Sequence, residues 1–248
     1  MKCLVSARDF DEVHQIIQGR ADIIDLKNPE EGSLGAGDPH LILETCHLVK
    51  GTAEIEISAA IGDVPHLPGT VSLAAIGTAM LGVDYVKIGL YGSKTISDAT
   101  HLMTYIVNSI ANVGLQSKIV CAGYADAKRV GTVNPMEIPE ITQVAGADVA
   151  MLDTAIKDGK RLFHFLSYEK LQEFTNCAHD YGLQVALAGN LNLTDISVLR
   201  QIGPDIIGVR SAVCERGDRR KGRVTKTLVE QFVRTVRNSN PTIEQFTL

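Results

Sequence analysis

The feature that most constrains the fold of this chain is a regular alternation of short apolar runs with longer amphipathic segments. Eight runs have the length and composition of buried strands, and they cover residues 2–7, 23–27, 54–60, 85–90, 117–122, 149–154, 183–188 and 206–211. Helical periodicity marks residues 10–18, 39–49, 97–113, 135–145, 168–181 and 196–202. Strands that alternate with helices predict right-handed βαβ units and a parallel sheet.

A parallel sheet of this kind is either an open doubly wound sheet or a closed barrel. Eight units at a steady spacing favour the barrel, and a last helix over residues 225–237 would close the ring. The chain has 248 residues, a usual length for one barrel, and no linker divides it. We therefore predict an α/β protein with a single (β/α)8 TIM barrel domain over residues 1–248.

Composition and charge argue against several classes of protein. The formal net charge is −5, which gives no global electrostatic reason to bind nucleic acid or an anionic membrane. The five cysteines are odd in number and widely spaced, which argues against a disulfide framework and indicates a reducing cytosol. No apolar stretch reaches the ~18 residues of a membrane span, and no apolar leader precedes the first strand, so we expect a cytoplasmic protein.

The sequence has no motif for a metal or an organic cofactor. The seven histidines show no H-E-x-x-H or similar spacing, so we predict no metal site. The glycine-rich residues 32–37 have the wrong order and context for a dinucleotide fingerprint. We expect no cofactor, and the sequence leaves a homo-oligomer open.

Charged residues recur at the carboxyl ends of the even-numbered strands. Lys27, Lys87, Asp153 and Arg210 follow or end strands two, four, six and eight. One layer of a barrel interior draws its side chains from alternate strands, so these four groups are predicted to converge at one mouth. Asp25 shares a strand face with Lys27, because strand side chains alternate with period two, and we predict it as a substrate-binding residue.

Lysines in such a setting can do carbonyl chemistry. A single lysine at a strand end is usually solvated, but Lys87 lies inside an apolar run, where unpaired charges are rare. A lysine that is desolvated or close to other cations loses its proton more easily, and the neutral amine can form a Schiff base. We predict Lys27 as that amine, Lys87 and Asp153 as proton-transfer or orienting groups, and Lys157 as a neighbour just beyond strand six.

Phosphate binding is the second predicted property of this mouth. In many barrels, the loops after strands seven and eight bind phosphate through backbone N–H groups. Gly189 and Asn190 follow strand seven, while Arg210 and Ser211 end strand eight; Gly123 after strand five is a further candidate. A Gly-Asn pair is also an ordinary turn, which is the alternative for the strand-seven residues.

Two loops are predicted to have secondary roles at the active site. Residues 28–38 form the longest irregular segment, follow strand two and are glycine-rich, so we expect a lid over the active site. The basic run 216–223 is predicted as a solvated loop, with attraction of phosphate as a secondary role.

Several of these stretches resemble one known family. Residues 25–29 (DLKNP), 31–36 (EGSLGA), 86–90 (VKIGL) and 152–159 (LDTAIKDG) are similar to motifs of (5-formylfuran-3-yl)methyl phosphate synthases, as are residues 187–191 and 208–212. The resemblance extends over nearly the whole chain. The stretches around residues 25–36 and 152–159 are the specific ones, whereas the last two are shared by many phosphate-binding barrels.

The resemblance implies a reaction and roles for individual residues. Enzymes of that family condense two glyceraldehyde 3-phosphate molecules into a furan aldehyde phosphate, with loss of phosphate and water, for methanofuran, a one-carbon carrier of methanogens and some methylotrophic bacteria. By this resemblance Lys27 is the Schiff-base lysine and Lys87 the proton acceptor, while Asp153 and Lys157 assist proton transfer. The implied partners are triose phosphates.

Two other functions remain open from the residues alone. The chain could be another aldolase or isomerase that acts on triose or sugar phosphates. It could also be a barrel that binds a phosphorylated metabolite without catalysis, its lysines only holding the anion.

Overall fold

The computed structural model describes residues 1–51 and 54–238, and these form one closed barrel of eight parallel strands. In chain order the strands are β1 Lys2–Ala7, β2 Ile23–Leu26, β3 Glu56–Asp63, β4 Tyr85–Gly89, β5 Lys118–Tyr124, β6 Val149–Asp153, β7 Gln184–Leu187 and β8 Ile206–Val209. Each strand pairs with its neighbours in sequence. The pairing of Lys2 with Ile206 joins β1 to β8 and closes the ring, so the predicted TIM barrel is confirmed and the open sheet is excluded.

Helices follow the strands around the outside of the barrel. They are α1 Phe10–Gln18, α2 Pro39–Val49, α3 Pro68–Met80, α4 Ile96–Asn112, α5 Ala127–Val130, α6 Ile138–Ala145, α7 Leu162–Phe165, α8 Tyr168–Asp180, α9 Ile196–Ile202 and α10 Lys226–Arg237. In the part of the chain that the structure describes, no helix has the length and apolarity needed to cross a membrane.

Side-chain caps explain where several helices begin and end. The Asp9 carboxylate accepts from the backbone N–H of Glu12 at the start of α1, and Asp38 does the same for Leu41 at the start of α2. Gly203 has a left-handed backbone at the end of α9, where a residue without a Cβ is favoured. These local signals are readable from sequence, and they set the lengths of the loops around the barrel.

Two differences from the predicted elements have a structural explanation. The prediction did not include α3, because apolar residues occur all around that helix and Leu73 and Met80 are exposed. Strand β3 runs to Asp63, beyond its predicted end, because its register against β4 shifts after Ala60. That shift carries Asp63 to the mouth of the barrel.

Two apolar clusters form the core. The larger one lies between the strands and the surrounding helices, and the smaller one fills the barrel interior with alternate residues of the strands, such as Leu4, Ile23 and Tyr85. Towards the carboxyl ends the interior positions become small, as at Ala60 and Gly208. This change leaves room for charged side chains at one mouth of the barrel.

Glycines on β5 and α3 allow a matched test of this packing. A Cβ at Gly123 would lie 2.4 Å from Ile138 Cγ1, whereas a Cβ at Gly77, exposed on α3, would meet nothing within 4 Å. We expect Gly123→Ala to lower the free energy of unfolding by about 1–3 kcal/mol through overpacking. Gly77→Ala should raise it by about 0.5–1 kcal/mol, because alanine loses less entropy in a helix. Urea unfolding, monitored by circular dichroism, measures the free energy of unfolding of both variants. Equal effects of the two substitutions would contradict the tight packing assigned to Gly123.

Candidate active site

A cavity of about 460 Å³ opens at the carboxyl-end mouth of the barrel. It is lined by residues of the even-numbered strands, by the loops after β6, β7 and β8, and by part of the basic run. Nine of the predicted site residues line it: Asp25, Lys27, Lys87, Asp153, Lys157, Gly189, Asn190, Arg210 and Ser211. The predicted convergence of the even-numbered strands is therefore present in the structure.

Lys87 and Asp25 form a buried ion pair at the floor of the cavity. Lys87 is only 1 % exposed, and its Nζ lies 2.6 Å from Asp25 Oδ1. Asp25 Oδ2 accepts a hydrogen bond from Ser6 Oγ at 2.9 Å. Burial raises the pKa of Asp25, but the ammonium groups of Lys87 and Lys27 outweigh it, so the net shift of the Asp25 pKa is downward. The pair thus holds a carboxylate deep in the barrel.

Lys27 follows the last residue of β2 and is 8 % exposed. Its Nζ donates to the carbonyl oxygen of Ser33 at 3.3 Å, and it has no carboxylate partner of its own among residues 1–51 and 54–238. Burial and the neighbouring charge of Lys87 lower the pKa of Lys27 to about 7, against the opposing pull of Asp153. A large fraction of this amine is therefore neutral near pH 7 and able to act as a nucleophile.

Asp153 at the end of β6 is ion-paired with Lys157. Lys157 Nζ lies 2.6 Å from Asp153 Oδ1 and donates to Thr154 Oγ1 at 3.2 Å. Burial raises the pKa of Asp153, yet Lys157 and Lys27 bring it down to about 2. The pKa of Lys157 is lowered, mainly by burial. Asp153 is thus a carboxylate that is ion-paired with Lys157 and stabilised by the charge of Lys27.

The loop at residues 28–38 is seated in the mouth of the barrel. Asp63 holds it there: its Oδ2 accepts from the backbone N–H groups of Ser33 and Leu34, at 2.7 and 3.4 Å, and its Oδ1 accepts from the Tyr124 hydroxyl. The Ser33 hydroxyl donates to the carbonyl of Thr154 at 2.8 Å, and Leu34 is fully buried in the inner core. The segment expected as a lid is therefore fixed at the mouth, where its Ser33 carbonyl accepts from Lys27 Nζ.

The residues after β7 form the turn that the Gly-Asn pair predicts. Gly189 and Asn190 both have positive φ, at 112° and 55°. The Gly189 carbonyl accepts from the N–H of Leu162, and Asn190 Nδ2 donates to the carbonyl of Gly159. These bonds fix the turn beside the cavity, and its phosphate-binding role stays a prediction.

Gly123 does not lie where its predicted role requires. It is within β5, it does not line the cavity, and the side on which a Cβ would project is filled by Ile138 of α6. Glycine is therefore needed here for packing of the helix against the barrel. The prediction of a phosphate-binding Gly123 is corrected, because the strand continues past it to Tyr124.

Arg210 lines the cavity, but its guanidinium is already bound within the protein. Nη1 and Nη2 donate to the buried Glu12 carboxylate at 2.8 and 3.1 Å, while Nη1 also donates to the Ser6 carbonyl and Nε to the Arg219 carbonyl. Four of the five guanidinium N–H donors are thus bound to protein oxygens, which leaves a single N–H for the predicted pairing with a phosphate. Sequence could not reveal this, because Glu12 lies on α1, far away in the chain.

Sequence reasoning missed several residues of the site. Ser33, Asp63 and Tyr124 act through hydrogen bonds that only the folded loop creates. Arg219 and its neighbours in the basic run line the cavity instead of forming a detached solvated loop. A signal was present for that run, because it follows β8 and so lies on the face where barrel active sites form.

A closed parallel barrel with several lysines and carboxylates at its carboxyl-end mouth, among them Lys27, Lys87 and Asp153, belongs to the class of barrel enzymes. The 4-HFC-P synthase family model matches residues 3–233, and the chain belongs to this family. It is 50 % identical over 231 residues to the (5-formylfuran-3-yl)methyl phosphate synthase of Methanopyrus kandleri, covering 93 % of this chain and 97 % of the relative. It is also 50 % identical over 232 residues to that of Methanocaldococcus jannaschii, covering 94 % and 98 %.

More distant solved structures share the fold. A 3-hexulose-6-phosphate synthase superposes with a TM-score of 0.63 at 14 % identity, covering 95 % of this chain and 100 % of the other. KGPDC from Streptococcus mutans superposes with a TM-score of 0.61 at 12 % identity, covering 95 % and 96 %. At these identities the likeness concerns the barrel alone.

The electrostatic setting of Lys27 predicts a measurable titration. In protein whose lysines are reductively labelled with ¹³C-methyl groups, the Lys27 resonances should titrate near pH 7, well below those of exposed lysines. Asp153→Asn should lower the Lys27 pKa further, because the carboxylate favours the ammonium form. Asp158→Asn is the control, since Asp158 is near the surface and paired with Arg129. An Asp153→Asn variant with an unchanged or higher Lys27 pKa would contradict this account.

Proposed function

We propose that this chain condenses two molecules of glyceraldehyde 3-phosphate into (5-formylfuran-3-yl)methyl phosphate through a Schiff base on Lys27. The balanced reaction releases one phosphate and two water molecules, which makes the enzyme a carbon–oxygen lyase acting on phosphates. The product would be the furan unit of methanofuran. The observation that carries this proposal is a desolvated, low-pKa lysine in a cavity shared with a second lysine, in a chain of the 4-HFC-P synthase family.

The first step is attack of the neutral Lys27 amine on the aldehyde carbon of one triose phosphate. The resulting carbinolamine loses water, with the oxygen protonated as it leaves, and a protonated imine remains. Lys157, which is ion-paired with Asp153, is the proposed proton donor. The low pKa of Lys27 supports this step, because a fully protonated amine cannot attack a carbonyl.

The second step is removal of a proton from the carbon next to the imine. The imine acidifies this C–H bond, and its electrons become a carbon nucleophile for the aldehyde of the second triose. The Lys87–Asp25 pair is the proposed proton acceptor: the Lys87 ammonium passes a proton to the Asp25 carboxylate, 2.6 Å from its Nζ, and the neutral Lys87 amine then takes the proton from carbon. Elimination of phosphate and loss of the second water follow, with Asp153 and Lys157 moving protons. Ring closure by a substrate hydroxyl at the imine carbon breaks the C–N bond and releases the Lys27 amine.

Orientation of the two trioses completes the proposal. Gly189, Asn190 and Ser211 line the cavity and are proposed to hold one phosphate group. Fixing a substrate before the new bond forms contributes several kcal/mol to lowering a bimolecular barrier. The wide spacing of the five cysteines supports a reducing, cytoplasmic setting for the reaction.

Trapping of the imine tests the mechanism. Borohydride added with glyceraldehyde 3-phosphate should leave a stable adduct on Lys27, seen by peptide mass spectrometry. Lys27→Ala and Lys27→Arg should both abolish the adduct and the turnover, because arginine stays protonated and cannot form an imine. Lys94→Ala is the matched control, since this exposed lysine follows β4 but does not line the cavity. Full activity in Lys27→Ala would sink the mechanism.

Product analysis tests the reaction itself. A furan aldehyde absorbs strongly in the near ultraviolet, so turnover of glyceraldehyde 3-phosphate should produce a new absorption band together with one equivalent of inorganic phosphate per two trioses. An aldolase or isomerase on the same barrel would instead yield a ketose phosphate, with no such band and no free phosphate. Accumulation of a ketose phosphate alone would refute the furan product while leaving the imine chemistry intact.

A further inference from the structure

A group of cations at the cavity has no carboxylate partner within the described protein. Lys160, Arg216, Arg219 and Arg220 all line the cavity, and none of them makes an ion pair with any residue in the ranges 1–51 and 54–238. The chain as a whole carries a net charge of −5, so this local excess of positive charge is not a consequence of composition. Unpaired like charges repel one another, and a bound anion would relieve that repulsion.

The loop that carries three of these cations is held in place from beneath. We call residues 215–223 the basic loop. Arg210 Nε donates to the carbonyl of Arg219 at 3.1 Å while its other donors bind the buried Glu12. Arg8 Nη1 donates to the carbonyl of Arg220 at 2.7 Å. Two further arginines are thus used to fix the backbone at the two residues whose side chains border the cavity.

The Asp218 carboxylate of the basic loop is used within the loop's own turn. Asp218 lines the cavity, but its Oδ1 accepts from the backbone N–H groups of Arg220 and Lys221, at 2.9 and 3.0 Å. The same turn is completed by the Gly222 N–H, which donates to the Asp218 carbonyl at 2.8 Å. Asp218 therefore shapes the turn and forms no ion pair with Arg219 or Arg220.

The cations of the basic loop border the reacting groups. Burial lowers the pKa of Arg219, and nearby Arg210 and Arg220 lower it further, while Asp153 acts in the opposite direction. Arg219 in turn contributes to the lowered pKa of Lys157. An anion held by Arg219 would consequently lie beside the Asp153–Lys157 pair.

We propose that Arg219 and Arg220 of the basic loop, together with Lys160, form a second phosphate subsite of the cavity. The subsite takes a phosphate monoester or inorganic phosphate, and it is distinct from the one proposed at Gly189, Asn190 and Ser211. The inference rests on the proposed function in one respect, because two triose phosphates bring two phosphate groups into one cavity. Arginine suits this role, since its planar fork matches two phosphate oxygens at once.

Binding of inorganic phosphate to the folded, full-length chain tests the subsite without any turnover. Isothermal titration at low ionic strength should find two phosphate equivalents per chain. Arg219→Gln should weaken one of the two by about tenfold to a hundredfold, the amount expected for losing charge-assisted hydrogen bonds. Lys27→Ala should still bind two phosphate equivalents per chain. The titration therefore tests the subsite independently of the Schiff-base mechanism.

Lys221→Gln is the matched control for charge alone. Lys221 is exposed, lies in the same loop and does not line the cavity. The Lys221→Gln substitution removes one positive charge, as Arg219→Gln does. It should change phosphate affinity by less than about twofold, because exposed charges are screened by solvent and salt. If Arg219→Gln loses its circular dichroism signal, Arg219→Lys replaces it and should weaken the same equivalent, since lysine lacks the fork. A single phosphate equivalent in the unmodified chain, or equal weakening by Lys221→Gln and Arg219→Gln, would overturn the subsite.

Discussion

The ion pair between Lys87 and Asp25 is the interaction on which the rest of the site depends. Both groups are almost completely buried, and removing either partner of such a pair costs about 3–5 kcal/mol, because the other charge is left uncompensated. Within the barrel, this pair gives Lys87 its own carboxylate and leaves Lys27 without one. The two lysines thereby acquire different properties although they occupy equivalent positions on alternate strands. Burial and the charge of Lys87 lower the pKa of Lys27, and Lys27 has no ion-paired carboxylate to counter them.

Pairing of each carboxylate with its own partner also organises the residues around the reacting groups. Each of four carboxylates has its own partner: Asp25 binds Lys87, Asp153 binds Lys157, Asp63 binds the loop after β2, and Glu12 binds Arg210. Because burying an unpaired charge is costly, these pairings hold loops and strands in one arrangement. Among the cavity residues of the described ranges, Lys27 and the cations at the cavity edge remain outside these pairs. They are the groups to which the proposed function assigns the aldehyde and the second phosphate.

Much of the architecture is readable from local pattern. Apolar runs with turn residues between them locate the eight strands, and capping residues mark helix starts such as Asp9 and Asp38. Errors arise where a signal is not local. Helix α3 lacks an amphipathic pattern, and β3 extends past its apolar run because of a register shift against β4. Neither feature is encoded in a short window of sequence.

The sequence by itself determined the barrel and the strand ends at which Lys27, Lys87 and Asp153 meet, because periodicity and alternate-strand layering are properties of short segments and of their order. Tertiary structure alone decided which charges are paired. Glu12 binds Arg210 across almost two hundred residues, and Ile138 excludes Gly123 from the site by filling its empty side. Asp63 reaches the loop after β2 only through the register shift in β3. Desolvation and charge pairing depend on three-dimensional distances between residues remote in sequence, and these distances exist only after the ring has closed.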